Sequence, residues 1–303
     1  MKILLLGKGG QVGWELQRSL APLGQVVALD WDSADGCGDF TRPQELLQTV
    51  RSLAPQVIVN AAAHTAVDKA ESEPELARLI NATAVGELAR QAQALGAWLV
   101  HYSTDYVFDG SGCRPWLERD VPAPLNVYGH TKLEGERLVQ QSCERHLVFR
   151  TSWVYGARGG NFARTMLRLA AEREKLQVID DQIGAPTGAD LLADVTALAL
   201  RQVCSQTGQA DRLAGLYHLT ASGQTSWHGY ASHVIEQARQ RKPDLDLRVR
   251  EVAAVASSAF PTAARRPHNS RLDTERLRQA FGLNLPHWQE GVDRMLTEIL
   301  SIP

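Results

Sequence analysis

Tyr128 and Lys132 stand four residues apart in the stretch YGHTK, inside a segment whose pattern predicts a helix over 128–140. On a helix that separation puts a phenol and an ammonium on one face. A phenol with a pKa of about 10 exchanges protons poorly near neutral pH unless a neighbouring cation stabilises its ionised form. Lys132 can supply that cation. Alone, the pair also reads as an exposed aromatic beside a solvated lysine. A second polar group lies upstream, where HYSTDYVFDG puts Ser103 and Thr104 at the end of a predicted strand. Ligands of open α/β sheets gather beyond such strand ends, and a hydroxyl there can bond a carbonyl oxygen.

Gly7, Gly10 and Gly13 form GxxGxxG, with Gln11 and Val12 between them, directly after the apolar run from Ile3 to Leu6. Glycine permits a tight turn and close approach of backbone to phosphate, and a helix starting there offers unpaired N–H groups to a pyrophosphate. No Gly-Lys-Ser/Thr follows, so the turn is not a P-loop. Asp30 closes the next apolar run, where an acid accepts hydrogen bonds from an adenosine ribose. No Lys or Arg occurs from Trp31 to Thr41, which favours NADH over a cofactor with a 2′-phosphate. Asn60 follows another strand-like run, and Ala61, Ala62 and Ala63 leave room for a flat cofactor group. Lys132 can then also bond the cofactor ribose.

These residues need a scaffold, and its outline is legible. KILLLGKGGQVGWELQRSLAPLGQVVALD reads as strand, glycine turn, helix and strand. Further strands fall at 57–60, 98–103 and 147–150, with helices over 74–95 and 128–140 between them. Continuous apolar strands alternating with amphipathic helices predict an α/β fold, a Rossmann-type doubly wound parallel sheet. Residues 1–150 are expected to form the NAD(P)-binding part. Residues 151–303, where the alternation weakens, are expected to form mainly a smaller substrate-binding part. A helix over 189–201 and a strand over 215–220 are expected to return to the sheet.

Composition removes other classes. In 303 residues, 32 Lys+Arg face 34 Asp+Glu, so the net charge of −2 provides no global field for nucleic acid or an anionic membrane. With 44% hydrophobic residues the chain can bury a full core. No apolar run approaches the ~20 residues of a membrane span, so a cytoplasmic location is expected. The four cysteines show no CxxC spacing and are expected to be reduced. The histidines contain no HExxH pair.

The ordered motifs GxxGxxG, GDF at Gly38 to Phe40, NAAAHTAVDKAE from Asn60, STDYVFDG from Ser103 and PLNVYGHTKLEGE from Pro124 resemble the extended short-chain dehydrogenase/reductase family over nearly the whole chain. RTSWVYG from Arg150, DQIGAPT from Asp180 and RRPHNS from Arg265 look most like its branch acting on dTDP-linked sugars. The resemblance implies NADH- or NADPH-dependent reduction of the C4 ketone of a dTDP-activated 4-dehydro-6-deoxysugar, giving dTDP-L-rhamnose. Thr104, Tyr128 and Lys132 match catalytic positions, and Asp30, Asp39 and Phe40 match the adenosine side of the cofactor site. Asp105, Tyr106, Trp153, Asn161, Gln182 and Arg266 fall in motifs of the nucleotide-sugar side. Some members hold magnesium on carboxylates at a homodimer interface. Glu15 matches one such ligand, while Asp190 stands where Glu is common.

Two rival readings follow from the same residues. One is another nucleotide-sugar enzyme of the same fold, a reductase, an epimerase or a dehydratase; dehydratases of the family carry Asp-Glu after the active-site Thr, whereas Asp105 and Tyr106 follow Thr104 here, so elimination lacks its base. A non-catalytic dinucleotide-binding regulatory subunit would keep the fold without requiring Thr104, Tyr128 and Lys132 together.

Overall fold

The KILLL run has no polar alternation, and it forms a strand buried on both faces, β1 (Lys2–Leu6). The computed structural model describes residues 1–205 and 210–301. After β1 come α1 (Gln11–Leu20), β2 (Gln25–Leu29), α2 (Pro43–Leu53) and β3 (Val57–Asn60). There follow α3 (Val67–Ser72), α4 (Pro74–Arg78), α5 (Ala84–Leu95), β4 (Trp98–Thr104), α6 (Val127–Ser142) and β5 (His146–Thr151). Every pairing among these strands is parallel: Ile3 faces Val26 and Val57, and Tyr102 faces Phe149. Parallel pairing forces a crossover after each strand, which puts helices over both faces of the sheet.

The expected helix over 74–95 is one continuous path with an interruption. A π turn at Leu79–Thr83 separates α4 from α5. Within it, the Asn81 amide accepts from His64 N–H, donates to the His64 carbonyl and donates to Thr131 of α6 at 3.1 Å. A Cβ on Gly135 would lie 2.1 Å from the Asn81 carbonyl oxygen, so glycine lets α6 close against this turn. Asn126 caps α6 by accepting from Gly129 N–H and also donates to the Arg265 carbonyl, which fixes where the helix begins.

Beyond β5 lie β6 (Val154–Tyr155), α7 (Phe162–Glu172), β7 (Lys175–Ile179), β8 (Ile183–Gly184), β9 (Thr187–Gly188) and α8 (Ala189–Ser205). The chain continues through β10 (Gly215–His218), β11 (Thr225–Ser226), α9 (Trp227–Arg241), β12 (Glu251–Val255), α10 (Glu275–Phe281) and α11 (Trp288–Leu300). β10 pairs in parallel with β5 and completes a six-stranded sheet of order β10-β5-β4-β3-β1-β2. Leu192, Val195 and Leu200 of α8 and Phe281 of α10 join Leu16 and Leu20 of α1 on one face. Leu46, Val50, Val85, Leu88 and Val139 cover the other. Away from the sheet, α7, α9 and α11 gather Phe162, Tyr230 and Trp288 into a separate aromatic core. All four cysteines are free.

Candidate active site

Beyond the carboxyl ends of β1, β3 and β4 opens a cavity of about 710 Å³. Gly7 turns the chain with φ +85°, and a Cβ there would sit 2.6 Å from the Ala62 nitrogen. A Cβ on Gly13 would lie 1.8 Å from the Gly7 carbonyl oxygen, so Gly13 lies under the turn and lets α1 start against it. Gly10 leads into α1 without a side-chain cap. The cradle fits a pyrophosphate: backbone is uncovered at a helix start, and side chains are excluded by geometry.

Gly7, Gly10, Gln11, Val12, Asp30, Asp39, Phe40 and Ala61 to Ala63 line this end. Asp30 accepts from Gly9 N–H at 2.8 Å and from Trp31 N–H at 3.0 Å, so it braces the glycine turn as well as facing the cavity. Asp39 accepts from the backbone and hydroxyl of Thr41, both at 2.8 Å. Trp31, absent from the motifs, lines the same rim with 72% of its surface exposed.

Thr104, Asp105, Tyr106, Tyr128, Lys132 and Trp153 line the other end. Thr104 ends β4 and caps the short turn that follows, accepting from Tyr106 N–H and donating to Asp105 at 3.2 Å. Burial pushes the Asp105 carboxyl up to about 7, against bonds from Ser270 and Thr104. Burial likewise pushes the Tyr128 phenol up to about 12, opposed by the Thr104 hydroxyl. The Tyr106 ring meets the Tyr128 ring edge-on, with centroids 5.6 Å apart.

Lys132 is held from the strand side. Its Nζ donates to the Tyr102 carbonyl at 2.7 Å and lies 3.3 Å from His101 Nε2, and burial lowers its pKa to about 8. The amine is anchored on β4, and the neighbouring phenol is shifted up rather than down. The physical reason is depth: at 2% exposure, the cost of burying a charge outweighs the pull of the Glu136 carboxylate.

The remaining expected residues are not all together. Trp153 has φ +48° and stacks on Trp227, ring centroids 3.6 Å apart. Gln182 is buried behind them and accepts from Trp227 Nε1 at 3.1 Å. Asn161 caps α7, accepting from Arg164 N–H and donating to the Gly156 carbonyl. Arg266 sits beside Tyr106, but its guanidinium clasps both oxygens of Asp68, at 3.2 and 2.6 Å. Neither Gln182, Asn161 nor Arg266 lines the cavity.

The carboxylates expected to hold magnesium are engaged by arginines. Glu15 pairs with Arg18 at 3.4 Å and Asp190 with Arg294 at 3.3 Å. Among the described residues no three His, Cys, Asp or Glu side chains of this chain converge on one point.

Sequence reasoning passed over His101, Trp31 and Ser270. His101 reads as one more strand residue, and Ser270 meets Asp105 across a sequence gap that no local pattern spans. Trp31 could have been found from its place immediately after Asp30.

A family model described as "RmlD substrate binding domain" matches residues 1–301. The dTDP-4-dehydrorhamnose reductase of Escherichia coli K12 is 60% identical over 301 residues, covering 99% of both chains. The solved dTDP-4-dehydrorhamnose reductase of Clostridium acetobutylicum superposes with a TM-score of 0.87 at 34% identity, over 98% of this chain and 99% of that one. That of Bacillus anthracis, solved in complex with NADP, superposes with 0.85 at 34% identity, over the same shares.

Proposed function

The chain belongs to the RmlD substrate binding domain family, and from that premise we propose that it reduces the C4 ketone of dTDP-4-dehydrorhamnose to a hydroxyl, giving dTDP-L-rhamnose. It is an oxidoreductase that uses a nicotinamide cofactor, as its close relatives' names and the NADP complex support. The observation that carries this reading is that the glycine cradle and the Thr104, Tyr128 and Lys132 side chains open into one cavity.

The reduced nicotinamide supplies the hydride for C4. The rest falls to side chains. Tyr128 gives its proton to the oxygen as charge develops there, and Thr104, hydrogen-bonded to the phenol, steadies the same oxygen. The raised phenol supports this direction, because a donor must hold its proton until the alkoxide takes it. Lys132 lines the same cavity, and an N–H of its side chain is assigned to the cofactor ribose. Trp153 and Tyr106 are assigned to the sugar, and Arg266 to its diphosphate. Residues 1–150 with the segments near 189–220 would hold the cofactor, and most of 151–303 the nucleotide sugar.

NADH is taken at least as well as NADPH in this reading, because Asp30 offers a carboxylate where a 2′-phosphate would lie. A cytoplasmic location and a homodimer extend the family likeness, and are checked by cell fractionation and light scattering. The deciding experiment is cofactor oxidation with dTDP-, GDP- and UDP-linked 4-keto sugars in parallel. Turnover restricted to the dTDP sugar is expected, and a GDP preference would overturn the substrate assignment.

A further inference from the structure

Among the described residues, Trp153 and Ala54 are the two non-glycine residues with a left-handed backbone, at φ +48° and +42°. Ala54 closes α2, where that conformation ends a helix. Trp153 has no helix to end: it stands between β5 and β6, and a bulky side chain resists this region. Something must hold it there, and such strain collects at ligand sites. The neighbours are built for it. A Cβ on Gly184 would lie 2.6 Å from the Trp153 ring, so the glycine of β8 leaves the indole its place. The Trp153 carbonyl accepts from Thr187 N–H at 3.2 Å.

Trp153 also stacks on Trp227, with ring centroids 3.6 Å and planes 14° apart. Trp227 opens α9 directly after β11, and β11 runs antiparallel to β8 with Ser226 opposite Ile183. The next pair along that register is Trp227 and Gln182, and they meet: Trp227 Nε1 donates to Gln182 Oε1 at 3.1 Å. Gln182 is 6% exposed and does not line the cavity, so its acceptor serves the indole. Its segment is itself pinned, since Ile183 N–H donates to the His268 carbonyl and the Ile183 carbonyl accepts from Ser270 N–H, both at 2.8 Å. We propose that Trp227 is a positioning residue for the substrate sugar: fixed by Gln182 and stacked on Trp153, it holds Trp153 in its left-handed conformation as a wall of the cavity that Thr104 and Tyr128 also line.

The chemistry explains why such a wall needs bracing. An indole is a flat apolar platform that holds a pyranose by its C–H face and leaves the hydroxyls free for hydrogen bonds. A platform selects by its angle, so its tilt is best set before the sugar arrives. Stacking alone lets two rings slide; the Nε1–H bond to Gln182 fixes how Trp227 is turned in its plane. The Phe162 ring packs against Trp227 as well, with centroids 4.6 Å apart. The two indoles thus join the aromatic core of α7, α9 and α11 to the reacting end of the cavity. Gln182, which falls in a sugar-side motif of the sequence, acts at one remove, through Trp227.

The inference rests on the reading that Trp153 faces the sugar, so its first test does not depend on turnover. Two stacked indoles couple their far-ultraviolet transitions into a paired positive and negative circular-dichroism band. That couplet is expected in the folded enzyme and should vanish in Trp153→Phe and in Trp227→Phe. It should weaken in Gln182→Met, which keeps the side-chain length but loses the acceptor oxygen. Its absence from the unaltered enzyme, or a couplet unchanged in Gln182→Met, overturns the proposal. An enzyme that reduced no keto sugar would sink the functional reading and leave the couplet result standing. The second test is steady-state kinetics. Trp227→Phe and Gln182→Met should each raise KM for the dTDP-linked keto sugar by about tenfold, with kcat at saturating sugar and the Kd for NADH nearly unchanged. In the double variant the second substitution should add little, because Trp227→Phe leaves no N–H for Gln182 to hold. Trp227 only packs if its sugar KM stays normal, if sugar KM and cofactor Kd rise together, or if the two effects simply add.

Discussion

Arg150 on β5 and Glu136 on α6 form a two-pronged ion pair at 2.9 and 2.7 Å, with side-chain exposures of 4% and 1%. It ties the sheet to the helix that carries Tyr128 and Lys132, and the Arg150 guanidinium also lies 5.0 Å from the centre of the Phe108 ring. Removing one partner of a buried pair strands the other charge, at a cost of roughly 3–5 kcal/mol. Glu136→Gln should therefore lower unfolding free energy by that order in urea titration. A loss under about 1 kcal/mol would mean that solvent reaches Arg150 when the helix relaxes.

Tyr128→Phe deletes the proposed proton donor and little else. General acid catalysis contributes about 10²- to 10⁴-fold, so kcat should fall by that order while direct titration shows cofactor binding unchanged. Near-normal kcat, with chemistry limiting, would assign the proton to another group.

Asp30→Ala tests the cofactor choice. The carboxylate braces Gly9 N–H and faces the cavity, so its loss should weaken NADH by roughly 1.5–3 kcal/mol of charge-assisted bonding. NADPH, with a phosphate near that carboxylate, should lose less or gain. Equal losses in fluorescence titrations of the two cofactors would leave Asp30 as a brace for the glycine turn alone.

Arg266 presents a fork that Lys cannot reproduce, and Asp68, whose carboxyl it holds below its usual range, keeps that fork in place. Arg266→Lys should raise KM for the nucleotide sugar by about 10-fold with little change for the cofactor. If the sugar KM does not move, the Asp68 pair is structural and the diphosphate is held elsewhere.

Asp105 should leave a signature in stability against pH. Its carboxyl titrates near 7 in the folded chain against an ordinary value of 3.8. The folded chain thus keeps a proton that the unfolded chain releases, and stability from this group is full below about pH 4 and lost as pH rises to 7. In Asp105→Asn that loss is absent. Denaturation midpoints of the two proteins should converge, or cross in the variant's favour, between those limits; parallel curves would show that Asp105 ionises normally.

Much of this was written in local pattern. Unbroken apolar runs at Ile3 to Leu6 and Val57 to Val59 announce strands buried on both faces, because a solvated face would need polar alternation. Gly7 and Gly13 announce a turn that no Cβ can enter, and the four-residue step from Tyr128 to Lys132 puts both on one helical face. The charge states, which depend on burial and on partners far away in sequence, were not legible there. Lys132 is anchored to the sheet only because β4 delivers His101 and the Tyr102 carbonyl to it, and Asn60 meets that histidine from the neighbouring strand. Arg266 and Asp68, 198 residues apart, meet only in the fold. Helix and strand periodicity report on one chain segment and its face. Proton positions and ion pairs are settled by desolvation and by which donors and acceptors packing brings within 3 Å, and only the tertiary structure decides that.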